Sequence, residues 1–194
     1  MVPFGMKNKK VILASASPRR KMLMEGLDIR VEVINVNHED ESYPREMPPE
    51  EIPAYLAAKK ADAARDRITE DTVLLTADTI VLLDGEVIEK PRDADHARQM
   101  LARLSGRKHR VLTGVCMRSR NKEVCFTAAS DVFFGNLSEE EIDYYVSTYK
   151  PFDKAGAYGI QEWIGYVSVE RIEGSFYNVM GLPVHQVWQY LKEF

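Results

Sequence analysis

The segment Leu13-Ala14-Ser15-Ala16-Ser17-Pro18-Arg19-Arg20 constrains this chain more than any other. An apolar run over residues 11–14 ends in three small residues and a proline, which predicts a strand turning directly into a helix. Proline at a first helical position has its φ preset and gives up no needed hydrogen bond. Ser17 is then the natural N-cap, and the helix runs through Lys21, Met22 and Leu23 to Gly26. Such a turn aims free backbone N–H groups and a positive dipole end at whatever lies above it. Two arginines in the first turn run against the dipole, which favours acids there. An anionic ligand shared by the arginines and the helix end accounts for them. A solvated basic turn does so equally well, and this segment alone does not decide.

A chain of 194 residues is long enough for one large domain, or for two small lobes sharing a cleft. The net charge of −4 argues against a surface that coats nucleic acid, so any anion site must be local. Cys116 and Cys125 fall in an expected hairpin and match no metal spacing, so they read as reduced, structural thiols. No apolar run approaches a membrane span, and residues 1–10 lack the hydrophobic core of a secretory signal. The expectation is a cytoplasmic protein without a membrane partner, with residues 1–9 as a flexible N-terminal extension.

After the first strand and helix, residues 31–36 alternate as a second strand, and residues 38–49 form a long acidic, proline-bearing loop. Residues 50–67 predict a helix, with Pro53 tolerable only in its first turn. Residues 73–83 are strongly β-prone, and Asp84-Gly85 signals a hairpin before Glu86-Val87-Ile88. Residues 93–104 predict an amphipathic helix burying Ala97, Met100, Leu101 and Leu104. Two longer strands, 111–117 and 124–134, flank an Asn121-Lys122 turn, and Ser138 with Glu141 forms a capping box for a helix ending near Thr148. Residues 150–161 read as irregular, 166–172 as a strand, and Pro183 opens a last helix. Strands and helices intermix without strict βαβ repetition, which predicts a mixed-sheet α/β or α+β architecture in two lobes.

Several clusters could carry chemistry. Asp40-Glu41 could hold a divalent ion, although acidic loops are usually just solvated. Asp78, in Ala77-Asp78-Thr79, lies inside the most apolar run, where a carboxylate is costly unless paired or metal-bound. It is the strongest candidate for a general base or metal ligand. Lys90 precedes Pro91, which fixes an extended backbone, so its ammonium suits a phosphate contact, and Lys60 could act likewise. In the stretch from Asp153 to Gln161, small residues admit a flat ligand and Gln161 offers a donor and an acceptor at one tip. That pair matches the edge of uracil or thymine, where a carbonyl oxygen lies beside N3–H. No P-loop, His/Cys metal cluster or Ser-His-Asp arrangement is present, and the four histidines read as surface or structural. Together the pieces suggest a triphosphate site with cations on the phosphates and carboxylates on a hard metal ion.

With these motifs in order, the chain resembles the Maf family of nucleoside triphosphate pyrophosphatases. The resemblance runs from Val11 to about Leu191 and rests on Leu13–Arg20, Asp40-Glu41-Ser42, the Ala-x-Lys-Lys-Ala stretch ending at Ala61, Ala77-Asp78-Thr79, Glu89-Lys90-Pro91, Leu104-Ser105-Gly106, the Asp153–Gln161 stretch and Gly181-Leu182-Pro183. It implies a single domain over 1–194 in two lobes about a central cleft, similar to the inosine triphosphate pyrophosphatases, and hydrolysis between the α and β phosphates. It places the proton acceptor at Asp78 and the acidic metal-site residue at Glu41, with Asp78 as a second metal contact. Ser15, Arg19, Arg20, Lys60 and Lys90 fall on positions expected to contact phosphate or substrate. Arg20, Thr79 and Gln161 match positions tied to base choice in the branch acting on dTTP and UTP. The implied cofactor is Mg²⁺ or Mn²⁺, with Co²⁺ as a further option, and family expectation alone adds a homodimer. The implied roles are removal of non-standard nucleotides and a link to septum formation. The rival readings are a 7-methylguanosine triphosphate pyrophosphatase of the sibling branch and a nucleotide-binding regulator of division. Trp163 stands where a small residue is expected, which leaves modified pyrimidines open as substrates.

Overall fold

The opening segment folds as its residues dictate: β1 (Lys10–Ala14) turns into α1 (Pro18–Glu25), with Pro18 in its first turn and Ser17 as N-cap. The structure is a computed structural model and describes residues 9–35 and 41–194. Residues 1–8 of the expected extension, residue 36 of the second strand, and Asp40 of the acidic motif lie outside the described residues.

The chain continues through β2 (Val31–Ile34), α2 (Ile52–Ala63), β3 (Thr72–Leu83), β4 (Glu86–Ile88), α3 (Ala94–Leu104), β5 (Lys108–Arg118), β6 (Glu123–Phe134) and α4 (Glu139–Tyr149). It ends with α5 (Trp163–Ser168), β7 (Val169–Glu173), α6 (Phe176–Met180) and α7 (Val184–Leu191). The strands join in the order β2-β1-β3-β5-β6-β7, with β4 paired to β3. β1 is parallel to both β2 and β3, whereas β3–β4 and β6–β7 are antiparallel. The sheet is therefore mixed, as expected. The hairpin at Asp84-Gly85 closes with both residues at positive φ, 53° and 83°, the geometry of a tight two-residue turn.

Two compact units divide the fold. The first draws its described residues from Met1–Asp78, Thr113–Ala128 and Gly181–Phe194, and the second from Thr79–Leu112 and Ala129–Met180. In the first, Ile12, Ala14 and Leu74 pack against Ala57, Ala61 and Ala64. Alanines on this face let α2 approach the sheet closely, and Gly114 of β5 completes the fit. A Cβ at Gly114 would collide with the backbone of Pro53 and Ala54. In the second unit, Ala97, Leu101, Leu104, Tyr145 and Ile164 are fully or almost fully buried. The predicted capping box at Ser138 and Glu141 is present.

Two expectations are corrected. Residues 166–168 belong to helix α5, and Ser168 Oγ donates to Ile164 O one turn earlier at 2.6 Å. The strand proper begins at Val169. Cys116 and Cys125 are joined in a disulfide rather than standing as reduced thiols. Hairpin register explains the pairing: Ser119 N–H donates to Lys122 O at 2.8 Å, and three residues back on each strand Cys116 faces Cys125, with Cα atoms 4.2 Å apart. Among the described residues no helix is long and apolar enough to cross a membrane.

Candidate active site

In the first unit, β1 leads through α1 to β2 on one side and the chain returns through α2 to β3 on the other. The carboxyl end of β1 and the adjoining middle of β3 thus lie at a topological switch point, where open α/β sheets bind ligands. Leu13 pairs with Leu75, so Ser15 lies level with Ala77 and the turn into α1 sits beside Asp78. Arg20 spans that gap. Its Nε donates to Gly181 O at 2.8 Å and its Nη1 to Ala77 O at 2.8 Å, with Ser15 Oγ at 3.5 Å from Nη1. Burial lowers the Arg20 pKa and the Asp78 charge opposes that shift, while Arg19 and Glu41 act on it more weakly. Arg20 therefore fixes the backbone just before Asp78 and brings positive charge to it.

Asp78 is 9% exposed on β3. Thr76, two residues earlier and on the same face, donates from Oγ1 to Ala57 O of α2 at 2.6 Å. One turn further along α2, Lys60 Nζ lies 2.5 Å from Asp78 Oδ1 and 3.5 Å from Glu41 Oε1. Lys59 Nζ donates to Ser42 O at 2.9 Å, which ties the acidic segment to the same helix. The buried carboxylate thus has the partner that its apolar setting demands. Ser15, Arg20, Glu41, Lys60 and Asp78 are brought together in one unit, and Arg19 is half-buried in the first turn of α1 beside them.

Glu41 and Asp78 converge on a single cationic point. Among the described residues the one three-ligand cluster of metal-binding type is Cys116, Glu123 and Cys125, whose sulfurs form the disulfide. Among the described residues the site thus offers two hard carboxylates and no complete cage. That donor set fits a Mg²⁺-type ion, which is commonly held by one or two carboxylates with substrate phosphates completing the shell.

In the second unit, Thr79 follows Asp78 along β3 and is half-buried. Lys90 is exposed, and the neighbouring Glu89 O accepts from Gly156 N–H at 3.1 Å, joining two of the sequence motifs. Gln161 occupies a turn closed by Glu162 N–H donating to Gly159 O at 2.9 Å. Its Oε1 is buried with no hydrogen-bond partner among the described residues. Trp163 packs edge-on against Tyr144, with ring centroids 4.9 Å apart. His109 Nε2 and Tyr158 OH share a hydrogen bond of 2.7 Å, and both rings pack edge-to-face with Phe134. Burial pushes His109 down to about 4 and the Tyr158 phenol above its ordinary value, so this pair is neutral. Sequence reasoning missed Tyr145 and Glu162, which bond to each other beneath the Gln161 turn. Neither stands in a motif, and only the approach of α4 to the turn reveals them.

The model of the Maf-like protein family matches residues 10–194. A dTTP/UTP pyrophosphatase of Porphyromonas gingivalis is 52% identical over 192 residues, covering 98% of this chain and 96% of the relative. One of Bacteroides thetaiotaomicron is 53% identical over 184 residues, covering 95% of each. Among solved structures, a HAM1 protein from Coxiella burnetii aligns with a TM-score of 0.45 at 13% identity, over 65% of this chain and 73% of that one.

Proposed function

The chain belongs to the Maf-like family, and from that premise we propose that it hydrolyses dTTP and UTP to the monophosphate and pyrophosphate. The observation that carries the reading is the buried Asp78 carboxylate of mid-β3, held by Lys60 beside Glu41 next to the carboxyl end of β1. Asp78 takes a proton from water as the water oxygen bonds to the α-phosphorus. The bond from that phosphorus to the bridging oxygen breaks, and pyrophosphate leaves with the electron pair. Ser15, Arg19 and the α1 N-terminus bind phosphate oxygens, and Arg20 holds the Ala77 carbonyl just before Asp78. Lys60 and Lys90 offset the developing charge. Glu41 and Asp78 would hold a divalent ion, Mg²⁺, Mn²⁺ or Co²⁺, which supplies Lewis-acid polarisation when bound.

Base choice falls to Gln161, with Thr79 and Arg20 in support. The unused Gln161 acceptor and its neighbouring amide donor complement the N3–H and carbonyl edge of uracil or thymine. The role we assign is removal of unwanted pyrimidine triphosphates in the cytoplasm by a homodimer, with neither nucleic acid nor membrane as partner.

The test is product analysis over a panel of nucleoside triphosphates, resolving pyrophosphate from orthophosphate. Monophosphate and pyrophosphate from dTTP and UTP, with little turnover of purines, is expected. Turnover confined to 7-methylguanosine triphosphate overturns the substrate assignment. Binding without turnover of any nucleotide overturns the enzymatic reading in favour of a regulator.

A further inference from the structure

Lys154 is a buried cation that the proposed chemistry does not use. It is 8% exposed, and its Nζ lies 3.1 Å from Glu162 Oε1 and 2.9 Å from Asp153 Oδ1. The Asp153 side chain is more than half exposed, whereas that of Glu162 is mostly covered. The other Glu162 oxygen accepts from Tyr145 OH. Tyr145 is fully buried, and its hydroxyl oxygen in turn accepts from Gly159 N–H at 2.9 Å. Burial and the Glu162 bond push the Tyr145 phenol above its ordinary value, so it remains the donor to the carboxylate at neutral pH.

The series Lys154–Glu162–Tyr145–Gly159 closes around one residue. Gly159 and Glu162 are the two ends of the turn whose third residue is Gln161. The turn is thus shut twice, by its own backbone bond and by a side-chain bridge through Tyr145. Gly159 is required for the bridge: a Cβ there would stand 2.8 Å from Glu162 Cδ and 3.0 Å from Gln161 Nε2. A buried ion pair contributes little net stability, because desolvation offsets most of the attraction. What this one does contribute is a fixed direction for the turn.

We propose that Lys154, Glu162 and Tyr145 are positioning residues that hold the Gln161 amide in register for the nucleobase edge and so set selectivity between bases. The proposal rests on the reading of Gln161 as the base-contacting residue. Loosening the turn leaves the phosphate machinery of the first unit intact but lets the amide rotate, so the loss falls on discrimination.

The readout is the ratio of kcat/KM for UTP to that for CTP, whose edge reverses the donor and acceptor. Tyr145→Phe keeps the ring and removes the bridge, and Glu162→Gln keeps the shape and removes the charge. Each is expected to lower the ratio by about tenfold, the equivalent of ~1.4 kcal/mol, mainly through a higher KM for UTP. Lys154→Met should act similarly, with Lys154→Arg restoring part of the ratio. In a Gln161→Ala background, Tyr145→Phe should lower the ratio no further. If Gln161→Ala lowers the ratio but the folded Tyr145→Phe and Glu162→Gln proteins keep it, the positioning role is overturned. If Gln161→Ala itself leaves the ratio unchanged, the base-contact reading fails, and the positioning role with it.

Discussion

Asp78 sits where an ionised carboxylate is tolerated only because Lys60 lies 2.5 Å away and Arg20 adds positive charge nearby. Asp78→Asn keeps an acceptor for Lys60 and removes the proposed proton acceptor. The expected result is a fall in kcat of about 10²–10⁴, with the nucleotide Kd altered only a few-fold. Pyrophosphate release and calorimetric binding on the same preparation check both halves, and normal turnover would refute the role. His109 ties stability to pH. Its folded pKa of about 4 lies below the ordinary 6.5, so between those values the unfolded chain takes up a proton that the folded chain excludes. Its contribution is complete above pH 6.5 and is lost as pH falls toward 4, to a total of about 3 kcal/mol. Urea unfolding of the wild type and His109→Gln should show their stability difference narrowing by that amount over this window, and a constant difference would exclude it. At this scale the sequence was readable where one position broke its surroundings: Asp78 in an apolar run, or Arg19 and Arg20 in a first turn that favours acids. It was silent on Tyr145 and Glu162, which act only through a contact between distant elements.

α2 carries Lys60, and its closeness to the sheet sets where the ammonium lies. Gly114→Ala would force the backbone at Pro53 and Ala54 away from β5. Overpacking of this kind costs about 1–3 kcal/mol, and because the helix moves as a body Lys60 should move with it. The expected outcome is a lower urea midpoint together with a fall in kcat/KM. A midpoint loss with unchanged kcat/KM would show that α2 adjusts without displacing Lys60. Elements with a strong local signal were legible, including the Ser17-Pro18 start, the Asp84-Gly85 hairpin and the Ser138–Glu141 box. Residues 166–168 read as strand in the sequence because Tyr166-Val167 is β-prone, while Ile164 and Ser168, the buried pair one helical turn apart, give too short a pattern to compete. The disulfide is hidden for a related reason: the spacing of the two cysteines matches no motif, whereas the hairpin register decides the pairing.

The molecule as a whole is acidic, at −4, yet the site proposed here must take a highly charged triphosphate. Local cations resolve part of that conflict, but Lys60 is already shared between Glu41 and Asp78. In the proposed reaction a divalent ion arriving with the phosphates would supply the remaining charge, since the described residues bring two carboxylates together rather than a full shell. An ion bound mainly through substrate adds little to the stability of the free protein, because stabilisation by a ligand grows only as its concentration exceeds its own Kd. Structural metals behave otherwise, and their removal unfolds the domain that they hold. Chelation with EDTA should therefore abolish dTTP and UTP hydrolysis while leaving Tm unchanged to within about 1 °C. Added Mg²⁺ or Mn²⁺ should restore turnover, and a non-hydrolysable nucleotide with Mg²⁺ should raise Tm more than either alone. A fall in Tm of several degrees on chelation would instead place the ion in the folded protein before substrate arrives.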